Sequence, residues 1–324
     1  MKNNIENSTN SEKVYFQRNK EYKILTNKLI LKERIWEIDF LRSLPIIIVV
    51  LYHTCFDFYM IKTMMLNYSA FSIAHPNMYN LTEFCQSMFF HPLILKYFVP
   101  LFGGIFLFIS GVSSSLTRSN LRRGLLLDLA ALIFSIGTYV FSIITKEDNF
   151  IYFGILHQMG FAITIYALIE LFSRKVLKRE VNKYSILGIG IIILIVGIVF
   201  TTSGVRISGR LIKWGEYSSY VGYDYKKEFA KDPYGYLKAM LGVKSSINDW
   251  WPIFPYTGVV YIGIFVGKVL YSEKKKSIVP KLYFKGLKPF CFIGSHTIYI
   301  YLLHQPIIVG ILFIIFSSMG GKFF

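Results

Sequence analysis

The sequence is poor in acidic residues and in cysteine, and it lacks the short motifs of several enzyme classes. Of its 324 residues, 19 are Asp or Glu and 36 are Lys or Arg, which gives a formal net charge of +17. Three cysteines (Cys55, Cys85 and Cys291) make no disulfide framework and are predicted to be free thiols. No G-x-S-x-G elbow, P-loop or H-E-x-x-H pair occurs. Neither a serine-elbow hydrolase, a P-loop enzyme nor a metal site is therefore predicted.

The positive charge first raises nucleic acid as a partner, because Lys and Arg can neutralise phosphates. The basic residues, however, lie between long apolar runs and are dense in alternate short segments, as the positive-inside rule requires. One of these segments contains Arg118, Arg122 and Arg123, and another contains Lys274 to Lys276. Attraction to anionic lipids accounts for the surplus charge. We therefore predict the lipid bilayer as a partner and no nucleic acid.

Apolar residues make up 53% of the chain and cluster in runs of about 17–25, the length that crosses about 30 Å of hydrocarbon. Spans are predicted near residues 38–58, 97–116, 124–144, 151–172, 185–201, 254–271 and 290–316. The predicted fold is an all-α, polytopic transmembrane bundle of about seven or more helices with a cytoplasmic N-terminus. The predicted location is a multi-pass position in a bacterial plasma membrane.

Two regions are predicted along the chain. Residues 1–34 form a basic cytoplasmic tail without an apolar core, so the first span is expected to act as the targeting signal. Residues 35–324 form the membrane domain, with long outer loops at about 59–96 and 202–253. The Tyr and Trp residues of these loops are either interfacial anchors or a platform for a sugar-like acceptor.

The first span holds the most informative pattern. Arg42 and His53 are eleven residues apart, which places them on one helix face about 16 Å apart along the axis. Asp39 and Asp57 lie on the same stripe, at i−3 from Arg42 and i+4 from His53. Ionisable groups in a membrane helix are costly unless they line a cavity or a bundle interior. Asp39 and Arg42 can instead be snorkelling residues at the membrane boundary. His53 is a candidate general base, with its ring held in one tautomer by the Asp57 carboxylate.

Two further histidines are predicted at a similar depth, on other spans. His157 lies in the fourth span, and His304 lies in the last span, in the sequence His304-Gln305-Pro306. Pro306 cannot donate a backbone hydrogen bond to Leu302, which is tolerated at membrane depth beside protein or a wet cavity. Each histidine alone can serve packing, but three on separate spans favour one shared polar site.

At Arg42 and His53 the sequence resembles the heparan-alpha-glucosaminide N-acetyltransferase catalytic-domain family and its bacterial relatives, within the transmembrane acyltransferases. Five stretches carry the resemblance: EIDFLRSLPIIIVVLYHTCFDF (37–58), FLFISGVSSSLTR (106–118), FGILHQMG (153–160), DWWPIFPYTGVVYIGIFVG (249–267) and FIGSHTIYIYLLHQP (292–306).

This resemblance implies a membrane acyltransferase that takes an acyl group, acetyl above all, from cytosolic acyl-CoA. The group would pass to a glycan-type hydroxyl or amine on the other side of the membrane, in the cell envelope. Arg42, Arg118, Arg122 and Arg123 would bind the donor, and His53, Asp57, His157 and His304 are the candidate catalytic residues. Three questions stay open: which histidine is the base, whether an acyl-enzyme forms, and whether the protein is a homodimer.

Two other functions fit parts of the sequence. A transporter or flippase for a small solute or a lipid-linked sugar would also place polar residues and a proline on several spans, although no internal repeat occurs. A non-catalytic scaffold for an envelope enzyme complex would leave the Arg42–His53–Asp57 stripe without a purpose.

Overall fold

A computed structural model of the chain describes residues 35–145, 150–203, 205–207, 210–212, 237, 240–241, 249–271 and 277–323. The predicted cytoplasmic tail, residues 1–34, and most of the predicted outer loop 202–253 lie outside these residues.

The described residues are almost entirely helical. Ten α-helices are α1 (Trp36–Met64), α2 (Tyr68–Ala74), α3 (Pro76–Phe89), α4 (Val99–Ser114), α5 (Asn120–Thr145), α6 (Ile155–Lys175), α7 (Lys183–Ser203), α8 (Ile253–Leu270), α9 (Lys288–Ser295) and α10 (Thr297–Ser318). A π-helical turn (Ile94–Phe98) leads into α4, and 3₁₀ turns (Pro280–Leu282 and Lys285–Leu287) precede α9. An antiparallel hairpin pairs β1 (Val205–Ile207) with β2 (Arg210–Ile212), Arg206 opposite Leu211.

The helices confirm the prediction of an all-α membrane bundle. Five of them (α1, α5, α6, α8 and α10) are long and apolar enough to cross a membrane. Two shorter apolar helices, α4 and the Lys183–Val199 part of α7, occupy the other two predicted spans. The number of crossings therefore stays a prediction, with five supported by length and composition.

Two regions differ from the predicted spans. Part of the predicted outer loop 59–96 is helical, forming the end of α1 and the helices α2 and α3. The predicted last span, 290–316, is divided at His296, whose backbone (φ −110°, ψ 17°) leaves the helical region. The side chains of Ser295 and His296 both bond the carbonyl oxygen of Phe292. Such local side-chain bonds compete with the helical ladder.

The central helices α4 and α8 pack closely because glycines face the backbone of the partner helix. A Cβ atom at Gly111 would fall on the carbonyl oxygen of Val260, and one at Gly263 would fall on that of Phe108. Small residues let membrane helices approach to this distance. The buried side chains of Leu107 and Ile264 lie in the resulting core, which continues into α6.

Alternating helix directions place the polar contacts in two layers. At the end where α1 begins, here named the inner end and predicted to be cytoplasmic, Asn120 of α5 donates to Glu170 of α6 (3.0 Å). At the opposite, outer end, His75 contacts the carbonyl oxygen of Met319 (2.9 Å). Helix α1 packs against α3, α4, α9 and α10, and α5 packs against α6. A cavity lies between these two groups of helices.

Candidate active site

The structure brings two of the three predicted intramembrane histidines together. His53 of α1 and His304 of α10 meet edge to edge: their ring planes are 15° apart, their ring centroids are 5.1 Å apart, and His53 Nδ1 lies 2.8 Å from His304 Nε2. His304 is 7% exposed, whereas His53 is half-buried and lines the cavity. His53 therefore stands between a buried partner and an open space.

The neighbours of His304 define which ring nitrogens carry hydrogen in the neutral pair. Its Nδ1 lies 2.7 Å from the carbonyl oxygen of Tyr301 and 3.1 Å from that of Ile300. Carbonyl oxygens only accept, so His304 Nδ1 carries the hydrogen and its Nε2 presents a lone pair. His53 Nδ1 then donates to that lone pair. This leaves His53 Nε2 with a lone pair of its own, as a general base requires.

Asp57, predicted to orient His53, does not do so by a hydrogen bond. The residue is fully buried, and neither carboxylate oxygen has a partner of standard hydrogen-bond geometry among the described residues. Gln305 of α10 is its polar neighbour. The i, i+4 spacing does place Asp57 on the His53 side of α1, where both line the cavity. The imidazole, however, is turned toward α10, and His304 takes the place predicted for the carboxylate.

The cavity beside His53 has a volume of about 1260 Å³. Its wall is mainly apolar and comes from α1, α4, α5, α8 and α10, from the end of α3 and the π-helical turn, from the start of α6 and from the segment before α8. It extends from Ile46, one helical turn beyond Arg42, to Phe141 and Trp250 toward the outer end. This volume exceeds the usual range of small-ligand sites, about 300–1,000 Å³.

Two of the four predicted donor-binding arginines meet the serine-rich end of α4 at the inner end. Arg42 donates to Ser113 Oγ and lies 3.3 Å from Asp39 Oδ1. Arg123 donates to Ser114 Oγ (3.1 Å) and Ser110 Oγ (3.0 Å). The two guanidinium groups are close enough to repel each other. A pair of adjacent cations with hydroxyl groups is well suited to bind an anion such as a phosphate.

The other two arginines, Arg118 and Arg122, are exposed at the same end of the bundle. They belong to the connection between α4 and α5 and to the first turn of α5. Their charges add to the positive inner surface, but they do not join the serine contacts that the structure gives to Arg42 and Arg123.

Residues 34–90 and 75–306 match the family described as "Heparan-alpha-glucosaminide N-acetyltransferase, catalytic", and the match covers most of the chain. The chain belongs to this family. Membership supports a membrane acetyltransferase and implies acetyl-CoA, in general, as the donor. The matched residues include Arg42, His53, Arg123 and His304. No curated protein and no solved structure matches the chain.

In this member of the heparan-alpha-glucosaminide N-acetyltransferase family, His157 has a different setting from the other two histidines. Its Nδ1 accepts from the Gly154 N–H (3.2 Å), which closes the first turn of α6, and its Nε2 lies 3.0 Å from Ser135 Oγ. Ser135 donates in turn to the carbonyl oxygen of Ile151 (2.8 Å). Both ring nitrogens of His157 thus hold the α5–α6 connection. His157 is not among the residues that line the cavity.

Asp249, which sequence reasoning did not select, joins three parts of the site. Its carboxylate accepts from Tyr301 Oη (2.9 Å), the Trp251 indole N–H (2.8 Å) and the backbone N–H of Ile155 (3.2 Å). The last contact caps the N-terminus of α6, where a negative charge is favourable. Burial raises the pKa of the Asp249 carboxyl to about 6, and the three donors oppose that rise. The signal in the sequence was the Asp-Trp-Trp-Pro run before α8.

No group of three or more His, Cys, Asp or Glu side chains within the described part of the chain is arranged to hold a metal. The described ionisable residues of the site instead form two groups: the arginines with Asp39 at the inner end, and the histidine pair with Asp57 and Asp249 at the cavity. The expectation that the reaction needs no metal stays a prediction.

Proposed function

We propose that the protein transfers an acetyl group from cytosolic acetyl-CoA to a hydroxyl or amine of a glycan-type acceptor across the membrane. The acceptor belongs to the cell envelope, and the membrane is the bacterial plasma membrane with residues 1–34 in the cytoplasm. Family membership supports the acetyl transfer. It also makes acetyl-CoA the expected donor and a glycan the expected class of acceptor, whereas the direction of transfer rests on the arrangement of the site.

The distance between the two polar groups suits acetyl-CoA as the donor. Arg42 and His53 belong to one continuous helix and are about 16 Å apart along its axis. The phosphates bind Arg42 and Arg123 at the inner end, where charge-assisted hydrogen bonds to phosphate are strong. The extended pantetheine arm passes Ile46, where the cavity begins, and carries the thioester toward His53.

His53 acts as the general base in a single transfer step. Its Nε2 takes the proton of the acceptor as the acceptor oxygen or nitrogen forms a bond to the thioester carbonyl carbon. The carbon–sulfur bond then breaks, and the departing CoA thiolate receives that proton from His53. His304 holds the base in the required tautomer, and Asp57, one turn further along α1, stabilises the imidazolium while it exists.

Neither His157 nor His304 is placed to donate a hydrogen bond to the oxyanion. His157 is engaged at the α6 cap, and His304 presents a lone pair toward His53. Gln305 lines the same cavity wall, and its side-chain amide can donate N–H groups. We assign it the oxyanion contact, a type of contact whose loss costs about 10²–10³-fold in rate in well-studied enzymes.

The observation that carries this proposal is the His53–His304 contact, which leaves a lone pair on His53 Nε2, in a residue that lines the cavity and shares its helix with Arg42. The test is label transfer from radioactive acetyl-CoA to a panel of cell-envelope glycans by purified protein. We expect His53→Ala to lower the rate by about 10²–10⁴-fold and to leave acetyl-CoA binding unchanged. His91→Ala, at an exposed histidine outside the cavity wall, is the matched control. Full activity of His53→Ala would refute the assignment.

A further inference from the structure

The composition of the cavity wall defines the chemistry of the acceptor more narrowly than the transfer reaction does. The pantetheine arm and the acetyl group take the part of the cavity between Ile46 and His53, so the remainder of about 1260 Å³, beyond His53, is available to the acceptor. Aliphatic and phenyl side chains dominate this part of the wall, with Ile133, Phe134 and Phe141 from α5 facing Leu303 and Val309 from α10. A free sugar buried here would leave hydroxyl groups without partners, at a cost of about 1–3 kcal/mol each.

The ionisable and amide side chains of the cavity come from α1, α10 and the segment before α8. His53, Asp57 and Gln305 lie on the facing sides of α1 and α10, and Asp249, which is bonded to Tyr301 of α10, lies with Trp250 in the segment before α8. The polar residue that α5 contributes, Thr138, already bonds Ser135 and Ile151 of the α5–α6 connection. An acceptor that satisfies this distribution has one polar end and one apolar end. Its reactive hydroxyl or amine meets His53, its polar head contacts Asp249 and Trp250, and its hydrocarbon part lies against α5.

The cavity also has an accessible side between two helices that belong to different groups in the bundle. Helix α5 packs on α6, and α10 packs on α1 and α9. Ile133, Gly137, Leu303 and Pro306 line the cavity from these two helices, and we name the space between them the α5–α10 cleft. Ile133 is 62% exposed and Leu303 is 53% exposed, and both also line the cavity, so each side chain reaches the cavity and the outer surface of the bundle.

Ile133 lies at the middle of α5 and Leu303 lies about two turns into α10, and both helices are apolar and long enough to cross the membrane. An opening at this depth meets the hydrocarbon of the bilayer rather than water, because about 30 Å of apolar lipid surrounds such helices. A hydrocarbon chain can pass through it without leaving an apolar environment, whereas a soluble saccharide cannot.

We propose that the acceptor is a lipid-linked saccharide, whose hydrocarbon chain lies in the α5–α10 cleft and whose sugar carries the acetylated hydroxyl or amine. This proposal rests on the proposed acetyl transfer and adds the class of acceptor. The competing occupant is a long acyl chain on the donor. Membership of an acetyltransferase family disfavours it, because an acetyl group has no chain to place in the cleft.

The glycines of the bundle offer a matched pair of variants. A Cβ atom at Gly137 meets nothing within 4 Å, so Gly137→Phe can project into the cleft without displacing the backbone. Gly188 of α7 has the same open surroundings and lies outside the cavity wall. Gly188→Phe therefore controls for the added phenyl group in a membrane helix.

The test uses full-length protein in lipid nanodiscs with labelled acetyl-CoA and two forms of glucosamine, the methyl and the dodecyl glycoside. We expect the dodecyl form to be acetylated at least about tenfold faster, since each buried methylene group adds to the binding energy. Gly137→Phe should remove this preference, with unchanged acetyl-CoA binding, and Gly188→Phe should retain it.

Each other outcome overturns the inference, and the outcomes separate it from the proposed function. Equal rates for both glycosides, or a preference for the methyl form, would show acetyl transfer without a lipid-linked acceptor. A dodecyl preference that both glycine variants retain would show simple partition into the bilayer. A preference for octanoyl-CoA over acetyl-CoA with the methyl glycoside would assign the cleft to the donor chain. The absence of transfer to any acceptor would contradict both proposals.

Discussion

The most informative perturbation is the removal of His304 as the acceptor for His53 Nδ1. His304→Leu leaves an N–H group of His53 facing an apolar side chain and frees the ring to change its tautomer. An unsatisfied buried donor costs about 1–3 kcal/mol. If this cost falls on the transition state, the rate declines about 5- to 150-fold. We expect kcat to fall within that range while the KM for acetyl-CoA stays constant, because His304 is remote from the inner-end arginines.

His304→Gln separates the tautomer role from simple packing. The Gln side-chain oxygen can accept from His53 Nδ1, so this variant should regain a large part of the activity that His304→Leu loses. The assay is the initial rate of CoA thiol release by purified protein in nanodiscs, with acceptor present. Thermal unfolding of both variants serves as the control for folding.

The combined variant gives the decisive comparison. If His304 acts only through His53, His53→Ala/His304→Leu should be no slower than His53→Ala alone, since the two residues work as a unit. Multiplicative losses in the combined variant would show that His304 has an independent role. Unchanged activity of His304→Leu would refute the tautomer assignment altogether.

Three further predictions concern the inner end, the Asp249 contacts and the helix packing. Arg123→Gln should raise the KM for acetyl-CoA about tenfold, because it removes a charge-assisted contact to the phosphates. Arg174→Gln changes an exposed inner-end arginine that is paired with Glu180, and it should leave this KM unchanged. Equal KM values for the two variants would contradict the phosphate site. Because burial raises the pKa of Asp249 from 3.8 to about 6, the native state holds this proton more tightly than the unfolded chain, so its contribution to stability should fall as pH rises from about 4 to about 6. The melting temperature of the wild type should therefore fall between these two pH values, and that of Asp249→Asn should fall less. An equal change in melting temperature for both proteins would contradict this assignment of Asp249. Gly263→Ala should destabilise the protein by about 1–3 kcal/mol, because the added Cβ meets the backbone of α4. Gly104→Ala places its Cβ in open space and should unfold like the wild type. Similar unfolding of both variants would contradict the close α4–α8 packing.

The helices and the shared face of Arg42 and His53 could be predicted from the sequence because both depend on local periodicity. Apolar runs of membrane length predict the positions of the main helices. Residues that are eleven positions apart lie on the same face of an α-helix, and this does not depend on what the helix packs against. The break at His296 was missed, because Ser and His side chains that compete for a carbonyl oxygen leave no mark on hydropathy.

The partners within the site depend on contacts between distant segments. His53 and Asp57 are neighbours along one helix, yet the orientation of the imidazole follows from α10, which lies far along the chain. Ser110, Ser113 and Ser114 appear in the sequence as part of an apolar span, and only the packing of α4 against α1 and α5 turns them toward the arginines. Local spacing can propose such pairs, but tertiary packing decides among them.

The same reason explains the assignments of Asp249 and His157. Asp249 reaches the first turn of α6 and Tyr301 of α10 across long separations in sequence. His157 occupies a membrane-depth position that the sequence cannot distinguish from a catalytic one, and its role in capping α6 becomes visible only with Gly154 and Ser135 in place.

The central claim is that a donor bound at the inner end delivers its thioester to His53, and a structure of the protein with acetyl-CoA tests it most directly. We predict phosphates at Arg42 and Arg123, a pantetheine arm beside Ile46, and a thioester carbonyl carbon within about 5 Å of His53 Nε2, with room for the attacking atom between them. Acetyl-CoA bound elsewhere on the protein, or bound at the arginines with its thioester turned away from the cavity, would contradict the account.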